Sequence, residues 1–332
     1  MTTLPSTILA ARYPASGDDA GTIRIDEIPR PVPGPGEVLV QIHVSGVNPT
    51  DWKARGGGLS AGNDPWVIPN QDGAGVVVAV GDGVDAGRVG ERVWLYLARW
   101  QRPNGTATQY VALDAGLAVP LPEGIGFDVG AGLGIPAMTA HRCLFADGPL
   151  TGQRILVHGG AGAVGHAAIQ LARWGGAEVA ATVSSPEKAE LATGAGAALV
   201  VNYREEDVAE RVQAWAPGGV QRVIEVDLPG NLETDVAVIA PGATIMTYSV
   251  TQTAVLPPPG LLTKNAALAF MLVYTMPDEA KRQAVQDITQ ALRDDALGPL
   301  PFIRFALADT AAAHDAVEAA AVGKVVIDVP LA

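Results

Sequence analysis

The amino-acid sequence predicts an α/β protein in which a β-rich domain accompanies a doubly wound parallel sheet. Between Arg154 and Trp174, a short apolar strand, a glycine-rich turn and a helical pattern follow one another directly. Strand and helix patterns then alternate as far as Tyr248, as they do in sheets covered by helices on both faces. Residues 1–125 instead combine short β-prone runs with proline and glycine turns. A chain of 332 residues is long enough for two such domains.

The β-rich part, residues 1–125, is expected to form a compact antiparallel, barrel-like domain. Segments such as Pro29–Gly36 and Gly56–Gly58 favour turns over helices because of their proline and glycine content. The strands predicted between the turns are Thr7–Ala11, Thr22–Ile28, Glu37–Val47, Gly75–Val80 and Arg92–Leu97.

The rest of the chain is predicted to consist of alternating helices and strands. The predicted helices are Val129–Phe145, with a break or kink at Pro136, then Pro186–Thr193, Glu205–Trp215 and Pro277–Arg293. The predicted strands are Ile155–Val157, Glu178–Val183, Ala198–Asn202, Val220–Val226, Ala243–Tyr248 and Leu268–Tyr274. The tail shows the pattern strand, helix, strand over Phe302–Leu307, Thr310–Ala321 and Lys324–Val329, and we expect it to return to the first domain. We therefore assign residues 1–125 and 275–332 to one domain and residues 126–274 to the other.

The glycine turn has the spacing of a dinucleotide site. In Gly160-x-Gly162-x-x-Gly165 the glycines allow a tight turn, a close approach of the backbone to a pyrophosphate, and close packing of helix on strand. The following helix offers free N–H groups and the positive end of its dipole to phosphates. The predicted cofactor-binding residues of this turn are Gly160, Ala161, Gly162, Ala163, Val164 and Gly165. The alternative is a turn with a structural role only, since the chain has 39 glycines.

The end of the second strand of this sheet indicates which dinucleotide binds. NAD-binding folds carry an acidic residue there for the ribose hydroxyl, whereas this chain has Ser184 and Ser185. These hydroxyls, with Lys188 one turn later, suit a 2′-phosphate, and Tyr203 after the third strand is placed to flank either the adenine or this phosphate. We therefore predict NADP(H). The alternatives are helix capping by the serines and a solvated surface charge at Lys188.

Composition and charge exclude several classes of protein. The net charge of −13 argues against nonspecific binding to nucleic acid or to an anionic membrane. The single cysteine, Cys143, excludes an intrachain disulfide and a cysteine-based zinc cluster. The sequence shows neither a signal-peptide pattern nor an apolar run near the ~20 residues of a membrane span. We therefore expect a cytoplasmic protein that has neither nucleic acid nor a membrane as a partner.

Seven short motifs occur in order along the chain. They are Gly46–Asp51, Asp72–Val77, Val89–Trp94, Ile135–Ala140, Val157–Gly165, Asn202–Asp207 and Gly323–Val326. As a set, these motifs resemble those of the zinc-independent quinone oxidoreductases, the group of the medium-chain dehydrogenase/reductase superfamily that includes zeta-crystallin. The resemblance covers essentially the whole chain. It implies a GroES-like catalytic domain, a Rossmann NADP-binding domain, and a homodimer formed by edge-to-edge pairing of the Leu268–Tyr274 strand.

The resemblance to metal-dependent alcohol dehydrogenases does not include their zinc ligands. The zinc branch of the superfamily has a cysteine after the early Gly-Val pair and a His-Glu pair before the Asp-Gly-Ala-Gly region. Here those places hold Asn48 and Asn70-Gln71, and their amide side chains are poor zinc ligands. The prediction is therefore that the protein has no metal.

Further cofactor contacts are implied by the resemblance. Lys188 and Tyr203 match positions that hold the 2′-phosphate, and Gly323 and Lys324 match a C-terminal turn that closes over the cofactor. Tyr248 is an additional candidate for contact with ribose or nicotinamide. The positions matched to the nicotinamide end and its pocket are Asn48, Thr139, Phe270 and Leu272.

The predicted chemistry is hydride transfer from NADPH to an electrophilic carbon or to a quinone. Without zinc, the developing oxyanion must be stabilised by N–H or O–H donors or by a cation. Lys53 and Thr139 are the candidate donors, Lys53 or water is the candidate proton source, and Asn48 completes the catalytic set. The alternative for Lys53 is an exposed lysine on a turn. We expect a structural capping role for Asp51 and a core or strand-end position for His158.

The leading hypothesis is an NADPH-dependent, zinc-independent reductase of quinones or α,β-unsaturated carbonyl compounds. Many quinone reductases of the group have a tyrosine where this chain has Lys53, and the stretch Asn48–Lys53 also looks like that of polyketide enoyl reductases. A 2-enoyl thioester reductase of a biosynthetic pathway is therefore one alternative. The other, from a different class, is an NADPH-binding protein with little turnover.

Overall fold

Two large sheets, one mixed and one entirely parallel, divide the chain between them. The structure is a computed structural model that describes residues 4–57, 64–249 and 258–331. It separates into a first unit, made of residues 1–135 and 301–332, and a second unit made of residues 136–300. Among the described helices, none has both the length and the apolar composition needed to cross a membrane.

The first unit takes its elements from both ends of the chain. Its N-terminal elements are β1 (Thr7–Pro14), β2 (Arg24–Pro29), β3 (Glu37–Gly46), α1 (Pro49–Arg55), β4 (Trp66–Val67), β5 (Asp72–Val80), β6 (Arg92–Leu95), β7 (Tyr110–Asp114), β8 (Ala118–Pro120) and α2 (Phe127–Ala131).

The second unit begins within α3 and continues through the parallel sheet. Its elements are α3 (Gly134–Phe145), β9 (Arg154–Val157), α4 (Ala163–Trp174), β10 (Glu178–Val183), α5 (Pro186–Gly194), β11 (Leu199–Asn202), α6 (Val208–Trp215), β12 (Val220–Glu225), α7 (Leu228–Val238), β13 (Ile239–Thr247), α8 (Pro259–Thr263), β14 (Ala267–Phe270) and α9 (Asp278–Arg293). The chain then completes the first unit with β15 (Phe302–Ala306), α10 (Thr310–Glu318) and β16 (Lys324–Asp328).

The strand β3 is the centre of the first unit. Its alternate residues Val38, Val40 and Ile42 are fully buried, as expected for a strand with one face on a core. It pairs with β5 along its length, with β7 along its first half and with β16 along its last residues. The register Val326↔Gly46 places the C-terminal tail directly beside α1.

The six strands of the second unit pair in the order β11-β10-β9-β12-β13-β14, and every pair is parallel. The strand order reverses between β9 and β12, so the carboxyl ends of these two strands mark the switch point of the sheet. The predicted fold class, a β-rich domain with a doubly wound sheet, is confirmed.

Three predicted elements differ from those observed. The predicted helix Val129–Phe145 is two helices, because α2 ends at Ala131 and α3 begins at Gly134. Pro136 does not kink α3, since it lies in the first turn, where no helical hydrogen bond is lost. The segment after Asn48, where a turn was the alternative setting for Lys53, is the helix α1, with proline at its first position. The predicted strand Leu268–Tyr274 ends at Phe270, and a short 3₁₀ turn follows.

The boundaries between the two units follow residues 135 and 300, later in the chain than the predicted boundaries after residues 125 and 274. The helix α2 packs so closely on β3 that a Cβ atom at Gly46 would lie 2.0 Å from the Ala131 carbonyl oxygen, so α2 belongs to the first unit. The helix α9 belongs to the second unit, because Trp174 Nε1 at the end of α4 donates to Asp294 Oδ2 at 2.9 Å.

Candidate functional site

The strand β9 passes into α4 through a glycine turn in which two glycines have no room for a side chain. A Cβ atom at Gly165 would lie 2.3 Å from the Gly159 carbonyl oxygen, and one at Gly160 would lie 2.8 Å from Ala181 Cβ. Gly159 has a φ of +68°, which favours glycine. Since Gly162 is the N-cap of α4, the free N–H groups of that helix lie at the carboxyl edge of the sheet, where phosphates bind in this fold class. The turn fits a dinucleotide pyrophosphate.

Polar side chains gather where the neighbouring strand β10 ends. Lys188 Nζ donates to Ser184 Oγ at 3.0 Å, while Ser185 Oγ accepts the backbone N–H of Lys188 at 3.3 Å as the N-cap of α5. Tyr203 lies next to this group because its backbone N–H donates to the Val183 carbonyl oxygen at 3.1 Å, and its side chain is 52% exposed. The structure thus brings together the residues predicted to bind a 2′-phosphate. Ser185 also caps α5, which is the alternative role considered for the serines.

The other predicted residues of the second unit lie on separate elements. Thr139 is buried in α3. Tyr248 is half-buried directly after β13, its backbone N–H donates to the Glu225 carbonyl oxygen at 3.3 Å, and burial raises the pKa of its phenol. Phe270 and Leu272 are 72% and 45% exposed at and just beyond the end of the outer strand β14. The predicted pocket lining is therefore a solvent-exposed edge of this unit.

Directly before the glycine turn, His158 is buried between two carboxylates. Its Nε2 lies 2.8 Å from Asp235 Oδ1 and 3.5 Å from Glu225 Oε2, and its Nδ1 lies 3.1 Å from Thr182 Oγ1. Burial opposes a charge on the imidazole, but the two carboxylates more than compensate and raise its pKa. Burial also raises the pKa of Glu225, to about 7. His158 is a strand-end residue, as expected, and its acidic neighbours were not predicted.

The first unit contains a buried network centred on Asn48. The side-chain amide of Asn48 donates to Asp72 Oδ2 at 2.7 Å and accepts from Lys324 Nζ at 2.8 Å. The ammonium group of Lys324 also donates to the Val47 carbonyl oxygen at 2.9 Å. Burial lowers the pKa of Lys324, while Asp72 and Asp51 act in the opposite direction. Lys324, predicted to contact the cofactor, thus donates to groups of its own unit.

Two buried acids complete this network. Asp51 Oδ2 accepts the backbone N–H of Asn48 at 2.8 Å, which is the capping role expected for it, while its Oδ1 has no hydrogen-bond partner among the described residues. Burial and the nearby Asp72 raise the pKa of Asp51 to about 7. Burial also raises the pKa of Asp72 to about 6, although Lys324 and the hydrogen bonds from Asn48 and the Ile135 N–H act against this rise.

The residues at the zinc-branch positions do not fit a zinc ion. Both polar atoms of the Asn70 amide are hydrogen-bonded, to Ser45 and to His314, and Gln71 Oε1 accepts the Arg99 backbone N–H at 3.1 Å. Asn48 is held by an ammonium group, which repels a metal ion. These amides therefore serve the internal hydrogen bonding of the first unit.

Lys53 and Gly323, two predicted site residues of the first unit, lie outside the network centred on Asn48. Lys53 is exposed on α1, with its Nζ 5.7 Å from the centroid of the Trp52 ring. Gly323 has a φ of +131°, and a Cβ atom there would lie 2.5 Å from the Pro301 carbonyl oxygen. Gly323 is thus required by the tight turn into β16.

Both units match families of known proteins. The alcohol dehydrogenase GroES-like domain matches residues 34–123, and the zinc-binding dehydrogenase family matches residues 163–290. The quinone oxidoreductase of Rattus norvegicus is 29% identical over 287 residues, which is 86% of each chain. A phenolphthiocerol/phthiocerol polyketide synthase component of Mycobacterium tuberculosis is 29% identical over 326 residues, covering 93% of this chain and 14% of that protein.

A solved structure has the same fold over the whole chain. A mycobacterial protein in complex with NADPH is 29% identical, with a TM-score of 0.82, and the match covers 97% of this chain and 99% of that one. The fold and the glycine turn define an oxidoreductase of the medium-chain dehydrogenase/reductase superfamily. Within that superfamily, the chain belongs to the quinone oxidoreductase group. The family predicted from the sequence motifs is therefore confirmed.

Sequence reasoning missed four buried acids: Asp51 and Asp72 as partners in one network, and Glu225 and Asp235 in another. Each network brings together residues that are distant in the sequence, so no motif with a fixed spacing predicts their contact. One available signal was the occurrence of Glu225 directly after Val223 and Ile224 at the end of a predicted strand, because buried carboxylates require partners.

The raised pKa of Asp51 predicts a stability that depends on pH. In the unfolded chain an aspartate titrates near 3.9, so the stabilising contribution of protonated Asp51 is complete below about pH 4 and is lost as the pH rises through about 7. Asp51→Asn cannot ionise. Relative to this variant, the wild type should lose up to about 4 kcal/mol of unfolding free energy between pH 4 and pH 8.

Thermal or urea unfolding across this pH range measures the difference. Asp85→Asn is the control, because Asp85 also accepts a backbone N–H, from Gly87, but is exposed. Parallel stability curves for the wild type and Asp51→Asn would show that Asp51 ionises as readily in the folded protein as in the unfolded chain.

Proposed function

We propose that this protein is an NADPH-dependent, zinc-independent reductase that transfers hydride to a quinone or to an α,β-unsaturated carbonyl compound. The observation that carries the proposal is the group formed by Ser184 and Lys188 beside the glycine turn. A carboxylate at the end of β10 would favour the free ribose hydroxyl of NAD, whereas an ammonium group and a hydroxyl suit a phosphate dianion. The mycobacterial relative solved with NADPH supports the choice of cofactor.

The cofactor supplies the hydride, and the chain supplies its binding and the stabilisation of charge. The glycine turn and the N-terminus of α4 are proposed to bind the pyrophosphate. The proposed contacts to the 2′-phosphate are Ser184, Ser185, Lys188 and Tyr203. The further contacts proposed from the family resemblance are Asn48, Thr139, Tyr248, Phe270, Leu272, Gly323 and Lys324.

Without a zinc ion, the oxyanion of the reduced substrate must be stabilised by hydrogen-bond donors. Lys53, Thr139 and Asn48 are the residues proposed for this chemistry. Lys53 is exposed and therefore free to donate a proton to substrate, whereas the Asn48 amide is fixed by Lys324 and Asp72. The fixed orientation leaves Asn48 with a defined second N–H donor.

A 2-enoyl thioester reductase is the second candidate. It is favoured by the similarity to a segment of a mycobacterial polyketide synthase, which extends over 93% of this chain. Both candidates reduce a carbon conjugated to a carbonyl group, so they share the cofactor and the need for oxyanion stabilisation.

Cofactor titration followed by a turnover screen separates these functions. NADPH should bind more tightly than NADH, and the screen should compare 1,4-naphthoquinone, 2-hexenal and a crotonyl thioester. Turnover of the quinone or the enal supports the leading proposal, and turnover of the thioester alone supports the second candidate. Tight NADPH binding without any turnover would indicate a binding protein, and the absence of nucleotide binding would remove the basis of both proposals.

Lys188→Ala should weaken NADPH binding by about ten- to a hundredfold, the value of a hydrogen bond to a charged group. NADH binding should not change, because NADH has no 2′-phosphate. Isothermal titration of both nucleotides makes the comparison, with Lys281→Ala as the control, since Lys281 pairs with Asp278 within the first turns of α9. An equal loss for both nucleotides would assign Lys188 a structural role instead.

We also propose a homodimer formed through β14, which pairs only with β13 among the described strands and has exposed apolar side chains. An unpaired apolar edge is a template for pairing with a second strand. Phe270→Asp should give a monomer in light scattering, because it places a charge on this edge. Val32→Asp, at a residue of similar exposure in the first unit, should remain dimeric. A wild-type monomer, or an unchanged Phe270→Asp dimer, would contradict this proposal.

A further inference from the structure

Three ionisable side chains meet beneath the glycine turn of the second unit. His158 follows β9, Glu225 ends β12, and Asp235 lies on α7, and these residues are 3%, 0% and 0% exposed. Their potential ligand atoms all lie within 4.8 Å of one another. No step of the proposed reduction uses these residues.

The hydrogen bonds of this cluster leave two carboxylate oxygens without a partner. Glu225 Oε1 accepts from the Asp227 backbone N–H and from Asn231 Nδ2, and Asp235 Oδ1 contacts His158. Glu225 Oε2 and Asp235 Oδ2 are buried and have no hydrogen-bond partner among the described residues. Buried carboxylate oxygens are costly unless a hydrogen bond or a cation compensates them.

A proton alone compensates this cluster poorly. Even with a charged imidazole, two carboxylates against one cation leave a net negative charge, and Asp227 adds to it from nearby. Glu225 Oε2 and Asp235 Oδ2 remain without a hydrogen-bond partner in this arrangement, within the part of the chain that the structure describes. A divalent cation neutralises both carboxylates beside a neutral imidazole and also coordinates the two unpartnered oxygens.

We propose that His158, Glu225 and Asp235 bind a divalent transition-metal ion through one imidazole nitrogen and two carboxylates. Zinc suits this combination of nitrogen and oxygen ligands. Thr182 Oγ1 is placed to accept the Nδ1–H of His158, which is the arrangement that leaves Nε2 free as a ligand. The ion displaces the proton that His158 otherwise shares with Asp235.

The site is unrelated to the zinc-branch positions of the first unit and independent of the proposed reductase activity. It departs from the sequence prediction of no metal, which considered the zinc-branch positions and the cysteine count. The ion would connect β9, β12 and α7 directly below the turn that begins at Gly159. Its expected effect is on the stability of the second unit, so it can be measured without substrate.

Metal analysis of the whole protein tests the proposal. The wild-type protein is expressed in zinc-supplemented medium and passed through a gel-filtration column in buffer freed of metal by a chelating resin. It should retain about one zinc ion per chain. Glu225→Gln and Asp235→Asn, which nearly conserve volume, should lose it. His141→Gln should keep it, because His141 Nε2 contacts a single carboxylate, Asp287, at 2.7 Å.

Two further measurements separate a built site from surface binding. Cobalt substitution should give the visible absorption bands of a low-symmetry site in the wild type and not in Glu225→Gln. Thr182→Val removes the hydroxyl that faces both His158 Nδ1 and the Gly159 backbone N–H, and it should weaken metal affinity by about ten- to a hundredfold, as changes behind a metal ligand do. Metal-free wild-type protein should also unfold at a lower temperature than the metal-bound form.

A wild type that retains no zinc under these conditions overturns the proposal, whatever the variants do. Equal zinc retention by the wild type and by both carboxylate variants overturns it as well, because the metal then lies elsewhere. In either case, the two unpartnered oxygens are compensated by a proton or a buried water.

Discussion

The first unit depends on one buried cation, the ammonium group of Lys324. It joins the C-terminal strand β16 to the end of β3 and to Asn48, residues that are more than 270 positions away in the chain. An ammonium group without partners would be too costly to bury, and the nearby carboxylate of Asp72 supplies the opposite charge. The same charges fix the Asn48 amide, so the stability of this unit and the orientation of a proposed catalytic residue have one physical origin.

The second unit has a different physical requirement, because the backbone N–H groups of its glycine turn must stay accessible. The glycines between β9 and α4 remove the side chains that would separate the helix from the strand, so N–H groups remain for phosphate oxygens. Polar side chains at the end of β10 are the groups proposed to distinguish a phosphate from a hydroxyl. Binding and selectivity are thus divided between the backbone of one turn and the side chains of the next.

The fold was largely predictable because its signals are local. The spacing from Gly160 to Gly165 and the alternation of strands and helices each involve neighbours in sequence, and the fold class predicted from them is confirmed. The buried networks were not predictable, because Asn48, Asp72 and Lys324 meet only after β3, β5 and β16 have paired. The helix α1 was missed because its short pattern, with proline at the start and glycine at the end, also suits a turn.

The assembly of the first unit from both ends of the chain has a consequence for folding during synthesis. The strands β15 and β16 leave the ribosome after the entire second unit, so the parallel sheet can form while β3 still has an open edge near Gly46. Until Lys324 arrives, the Asp72 carboxylate has no ammonium group beside it. Until β16 is made, the nascent first unit therefore has both an open strand edge and an uncompensated buried acid, and this one strand corrects both.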